Sequence, residues 1–129
     1  MKKHAPAVTL LAVLAVLVSA CGSGGGQAVR AVEDYLNALV SKDGDRLSAL
    51  SCADWEPSAL LELDSLQAVD TRLEGLACAV SGTDGDTTLV SCDGQIIATY
   101  NDEDQALDLS VRTYQVVEQS GESLVCGYR

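Results

Sequence analysis

The chain has no phenylalanine, and its only aromatic side chains are Trp55, Tyr35, Tyr100, Tyr114 and Tyr128. Any core must therefore be built from Leu, Val, Ile and Ala. Histidine is almost as scarce, since His4 is the only one. A domain lying beyond it cannot use Ser-His-Asp or Cys-His catalysis, and cannot hold a metal through imidazole. Gly-x-Ser-x-Gly, Ser-x-x-Lys and Cys-x-x-Cys are absent as well, so no serine-nucleophile motif and no zinc spacing is present. Basic side chains are few, with 8 Lys and Arg against 19 Asp and Glu. Phosphate binding needs Lys and Arg clusters that release counterions, and none exists here, which excludes a nucleic-acid partner.

What the chain does have begins at its start. Lys2 and Lys3 precede an apolar run from Ala5 to Val18, then the small residues Ser19 and Ala20, then Cys21 and a glycine-rich stretch. A basic start, a short apolar core and a small-residue exit describe a secretory signal. Val18-Ser19-Ala20-Cys21 also resembles the bacterial lipobox, at which signal peptidase II cuts before a cysteine that carries lipid. The resemblance implies a cleaved signal over 1–20, a lipid-anchored Cys21 and a membrane as its partner; two or more acyl chains hold stably where one does not. A plain secretory signal and a retained span are the alternatives. Residues 5–20 rise about 1.5 Å each and cover roughly 24 Å, short of the ~30 Å hydrocarbon core. Residues 21–27 are expected to form the lipidated cysteine and a flexible tether of about 20 Å, leaving 28–129 as one small domain near the membrane surface. Loss of Lys2 and Lys3 leaves six basic against nineteen acidic side chains, a net charge of −13. Solubility outside the cell accounts for that acidity.

Residues 27–40 carry Val29, Val32, Leu36, Leu39 and Val40 at three- and four-residue spacing, the pattern of an amphipathic helix. Asp43-Gly44-Asp45 breaks it, and Asp45 can cap a short second helix running through Leu47 to about Ser51. Pro57 suits the first turn of a third helix, to which Leu60, Leu61 and Leu63 give an apolar side. From about Val69 the texture changes to runs of Val, Thr, Ile and Tyr separated by Gly and Asp turns. The spacing predicts strands over 70–81, 86–100, 107–118 and 122–129, joined by short turns as an antiparallel meander. Asp93-Gly94 falls inside the second run and predicts a bulge or bend. The fold class is α+β, with N-terminal helices packed on a curved four-stranded sheet.

The order of elements resembles the NTF2-like (cystatin-like, α+β cone) superfamily, in particular small bacterial lipoproteins of that fold. The likeness rests on Ala28-Val29-x-x-Val32-x-x-Tyr35-Leu36-x-Ala38-Leu39, Asp43-Gly44-Asp45 and a cysteine-bearing last strand, and covers about residues 27–129. Enzymes of that superfamily place Asp, His or Tyr in the cone, and no motif here carries those roles over.

Cys52, Cys78, Cys92 and Cys126 lie in a chain read as exported, where disulfides persist. Four cysteines allow three pairings. With a turn centred on Asp84-Gly85, residues whose numbers sum to about 169 or 170 face each other, and Cys78 and Cys92 meet that condition. The remaining bond would join Cys52, after the second helix, to Cys126 in the last strand. The acidic turns at 43–45, 84–86 and 101–104 lack the ligand pattern of a calcium loop, and turn chemistry accounts for them. No metal and no cofactor is expected.

Tyr35, Trp55, Tyr100 and Tyr114 are candidates to line a concave pocket between helices and sheet, with core packing as the competing role. Arg72 and Arg112 could meet an acidic ligand, or pair with neighbouring carboxylates. Three functions follow: a tethered non-catalytic module that binds a small molecule or protein, an accessory subunit that forms a homodimer through its sheet, and a small enzyme using Tyr and Asp.

Overall fold

The computed structural model describes residues 23–129. Cys21, with the signal and lipidation expected around it, lies outside the described residues. Helix α1 (Ser23–Ser41) buries Ala28, Ala31, Val32, Tyr35, Leu36, Ala38 and Leu39 on one face. It begins ahead of the expected boundary, so the tether read over 21–27 is corrected: from Ser23 onward those residues are helical. Extending an existing helix avoids the cost of a new nucleus, which offsets the penalty of about 1 kcal/mol per glycine. Contact with the sheet helps too, since the position a Cβ would take on Gly25 lies 3.5 Å from Val80 Cγ2.

Lys42 ends α1 in the left-handed region (φ 61°). Helix α2 (Gly44–Ala49) is capped by Asp43 rather than Asp45: Asp43 Oδ1 accepts the Arg46 N–H at 3.1 Å. Gly44 already belongs to the helix, which places Asp45 in its first turn. Helix α3 (Glu56–Ser65) has Pro57 in its first turn and buries Ala59 and Leu63, while Leu61 points to solvent.

The sheet has five antiparallel strands, not the expected four: β1 (Asp70–Asp84), β2 (Thr87–Tyr100), β3 (Glu103–Asp108), β4 (Thr113–Gln119) and β5 (Glu122–Tyr128). The spatial order is β1-β2-β4-β5, and β3 also pairs with β2. The single strand expected over 107–118 is thus divided by a 3-10 turn at Leu109–Val111. Gln95 faces Asp108 on one side of the break, and Ser91 faces Thr113 on the other. The break sits opposite two other irregularities. Gly94 of β2 has φ +105°, and β1 slips register between Glu74 and Ala77, with Gly75 at φ +64°. The three lie on one line across the sheet, where bulges bend the strands. The turn residue Leu109 is fully buried in the core. The turn into β3 is tighter than expected: Tyr100 pairs with Glu103, and only Asn101 and Asp102 turn the chain, both at positive φ, as a two-residue hairpin requires.

Leu36, Leu39, Leu47, Val90, Ile96, Val116 and Val125 fill the space between α1 and the sheet. On the sheet's other face Ile97 is buried between its cross-strand neighbours Arg72 and Ala106. Arg72 binds Glu74 Oε1 at 3.1 Å and Asp104 Oδ2 at 3.0 Å, and the Thr99 hydroxyl donates to Asp104 Oδ1. Thr99 and Arg72 together hold the Asp104 carboxyl below its ordinary range.

Two disulfides tie the chain, Cys78–Cys92 across the β1–β2 hairpin and Cys52–Cys126 between the α2–α3 connection and β5. The first pair stands in register, directly opposite across the strands. The second is flanked by backbone bonds from Cys52 N–H to Val125 O (3.0 Å) and from Val125 N–H to Leu50 O (2.8 Å). Two disulfides fit an oxidising, extracytoplasmic compartment. Among the described residues no helix is long and apolar enough to cross a membrane.

Candidate functional site

Where α3 passes over the bent part of the sheet it leaves a groove. Leu66, beyond the end of α3, faces Ile96, Ala98 and Tyr100 of β2 and Leu107 of β3, around a cavity of 440 Å³. Alternation in β2 supplies that wall: Ile96, Ala98 and Tyr100 project from one face, and Ile97 from the other. Ser65 and Gln105 add polar groups to this largely apolar wall, and its charged end is where Glu62, Arg112 and Tyr128 meet. Arg112 Nη1 donates to Glu62 Oε1 at 2.7 Å and lies 3.5 Å from the Tyr114 hydroxyl. The guanidinium stacks on Tyr128, 4.1 Å from the ring centroid. Burial works against the charge of Arg112, but the Tyr114 and Glu62 hydrogen bonds outweigh it and hold the group protonated. Such a cation, stacked and half withdrawn from water, interacts more strongly than an exposed one.

Behind the groove stands an aromatic cluster. Tyr35 and Tyr114 are fully buried with ring centroids 6.2 Å apart. Tyr128 packs edge-on against both Tyr114 (5.7 Å) and Trp55 (5.4 Å), and Trp55 Nε1 donates to the Tyr35 hydroxyl at 3.0 Å. Of the four aromatics expected at a pocket, then, only Tyr100 lines it. Tyr35 and Tyr114 are core residues, and Trp55 bridges α3 to the last strand. The position a Cβ would take on Gly127 lies 3.4 Å from Trp55 Cε3, so the indole covers bare backbone there. Glu62 and Tyr128 carry no mark of the site in the sequence. The one available signal is Arg112, expected to pair with a neighbouring carboxylate on the solvated face; it pairs instead with Glu62, fifty residues earlier, in a largely buried contact.

Burial pushes the Tyr35 phenol well above its ordinary 10.0, against the opposing Trp55 hydrogen bond. Burial raises Tyr114 too, with the Arg112 hydrogen bond opposing. A folded-state value above the unfolded one stabilises fully below the unfolded value, and that stability disappears as pH rises past it. The melting temperature should therefore fall as pH climbs beyond about 10, the reference value for a free tyrosine. Phenolate absorbance near 295 nm should show these two tyrosines ionising only as the fold opens. Complete titration of all four tyrosines in a still-folded chain would contradict this assignment.

A second hollow, of 380 Å³, lies between α1 and the β4–β5 turn and is lined by Arg30, Asp34, Leu50, Glu122 and neighbours. It has no aromatic wall and no enclosed charge. Among the described residues no group of three His, Cys, Asp or Glu side chains is placed to hold a metal ion.

No family model matches the chain, and no curated protein matches it. Among solved structures it is similar to Aln2 from a Streptomyces species, at 12% identity and a TM-score of 0.55, over 80% of this chain and 85% of that one. At such identity the likeness speaks for the α+β fold alone.

Proposed function

We propose that this protein is an NTF2-like, lipid-anchored binding module of the cell envelope that takes a small molecule in the groove between α3 and the bent sheet. The observation that carries the reading is the groove: 440 Å³, walled by Leu66, Ile96, Ala98 and Leu107, with one enclosed Arg112–Glu62 pair at its end. An apolar cleft with few convergent polar groups is the usual form of a small-molecule site. The helix-then-curved-sheet order supports the NTF2-like reading. The signal-like residues 1–20 and Cys21, together with the disulfides, support export and anchoring.

The accessory-dimer reading draws less support, because Arg72, Glu74, Thr99 and Asp104 make a polar network on the outer sheet face. The enzyme reading draws less support, because the one carboxylate lining the groove, Glu62, is engaged by Arg112, and no Asp lies beside Tyr100 or Tyr128 in its lining.

Native mass spectrometry of the oxidised chain, after exposure to an extract of its own organism, tests the groove. A reproducible added mass is expected, and Ala98→Trp, which fills the cavity, should abolish it. Unliganded spectra from both proteins would defeat the small-molecule reading and return weight to a protein partner. Anchoring has its own check: a clickable palmitate analogue should label the wild-type chain and leave Cys21→Ala unlabelled, whereas equal labelling would remove Cys21 as the lipid site.

A further inference from the structure

The Arg112 guanidinium is unevenly used. Nη1 serves both Glu62 and Tyr114, while no hydrogen bond engages Nε or Nη2 among the described residues. No fully enclosed side-chain nitrogen or oxygen lacks a partner there, so the unused N–H groups must be reached by solvent. Arg112 lines the groove, and its side chain is only 13% exposed. Nε–H and Nη2–H form the side-on fork of a guanidinium, whose two parallel donors match the two oxygens of a carboxylate. Tyr128 stacking and the Glu62 bond already fix the plane of that fork, so a ligand need not order it. Beside it run the apolar side chains of Ile96, Ala98, Leu107 and Leu66.

We propose that the groove binds an amphipathic monocarboxylate, its apolar body against Leu66, Ile96, Ala98 and Leu107 and its carboxylate on the open Nε–Nη2 fork of Arg112. This rests on the groove being a small-molecule site and adds the class of ligand. One carboxylate fits and two do not, since Arg112 is the only cation lining the groove and the chain around it is strongly acidic. In the complex Arg112 bridges two carboxylates, one from Glu62 and one from the ligand.

The test uses the oxidised full chain in zwitterionic nanodiscs, with empty nanodiscs to correct for partitioning. The probes are 2-naphthoate and 2-naphthalenemethanol, which share one apolar body and differ in the carboxylate. Ligand-detected NMR titration should give naphthoate an affinity about tenfold higher, the scale of a charge-assisted bidentate contact. Arg112→Lys keeps a cation for Glu62 but loses the fork. It should cost naphthoate about tenfold and change naphthalenemethanol by less than about twofold. Glu62→Gln still accepts the Nη1 hydrogen bond and removes the competing negative charge, so it should tighten naphthoate severalfold. That variant also decides the matter if Arg112→Lys fails to fold.

Equal affinities for the two probes in the wild type would overturn the carboxylate assignment while leaving the groove a binding site. So would a loss shared equally by both probes in Arg112→Lys, or no gain in Glu62→Gln. Binding that survives Ala98→Trp, or no binding of either probe, would overturn the groove reading and this proposal with it.

Discussion

Replacing Cys52 and Cys126 together by serine is expected to destabilise the protein by about 4 kcal/mol, and replacing Cys78 and Cys92 by about 3 kcal/mol. The order follows from loop length. The first bond joins residues 74 apart in sequence, the second residues 14 apart, and the longer loop forfeits more freedom in the unfolded chain. A domain of this size has only about 5–15 kcal/mol in total, so either loss is large. The long-range bond has a further local effect. Without it the Leu50–Cys52 segment is held to β5 by two backbone hydrogen bonds, at 3.0 and 2.8 Å. Urea melts of the two double mutants, read by Trp55 fluorescence, give the comparison. A smaller loss from Cys52/Cys126 than from Cys78/Cys92 would show that residual structure in the unfolded chain, and not loop closure, sets the scale.

Gly94→Ala is expected to be more damaging than any other glycine substitution in the sheet, costing at least about 3 kcal/mol. Its φ of +105° is one that side-chain-bearing residues rarely adopt, and a Cβ there would stand 2.6 Å from Glu74 O and 2.7 Å from Gly75 O. Those atoms are backbone and cannot rotate away. Relief requires β1 to move off β2 at the bend, which would disturb the buried Ile96 and Leu109 nearby. Gly85→Ala provides the contrast. Gly85 has φ +59° but nothing within 4 Å of its would-be Cβ. Its cost should be confined to the left-handed backbone, about 1 kcal/mol. Thermal melts of the two variants measure the difference, and similar melting temperatures would refute the close-approach account.

The contrast also shows which parts of the fold are legible in the sequence. Cys78 opposite Cys92 can be read because a short Gly-Asp turn fixes the register of both strands leaving it. Gly94 can be read as a bend because glycine is otherwise out of place in so long a strand. The division between β3 and β4 cannot. Asp108-Leu109-Ser110-Val111 continues a plausible strand alternation, and the turn there depends on Leu109 finding room in a core that only the tertiary fold creates. Asp108 adds a purely local support by accepting the Ser110 N–H at 2.9 Å.

The groove is legible only at its edges. Tyr100 and Arg112 stand out as residue types, but Tyr128 looks like a terminal aromatic and Glu62 like one acid among nineteen. Their roles come from the Cys52–Cys126 bond and Trp55, which bring the start of α3 against the end of β5. The start of α1 escapes a sequence reading for a similar reason. Glycines read as flexible in isolation, yet Gly25 has Val80 to lie against.

That early start of α1 gives the molecule two unlike poles. At one, Gly25 meets Val80, in the half of the β1–β2 hairpin that lies beyond the bend, toward its turn. At the other, the Thr71 hydroxyl donates to Val40 O at 2.6 Å, and Asp70 pairs with Thr99, beside the groove residues Ala98 and Tyr100. Along α1 the two lie fifteen residues apart, about 22 Å of helix. Attachment to a bilayer through Cys21 would therefore act on the Gly25–Val80 pole, with one residue intervening before α1. The groove would then be presented outward, across the depth of the domain, where solutes arriving from the surrounding medium meet it before they meet the lipid.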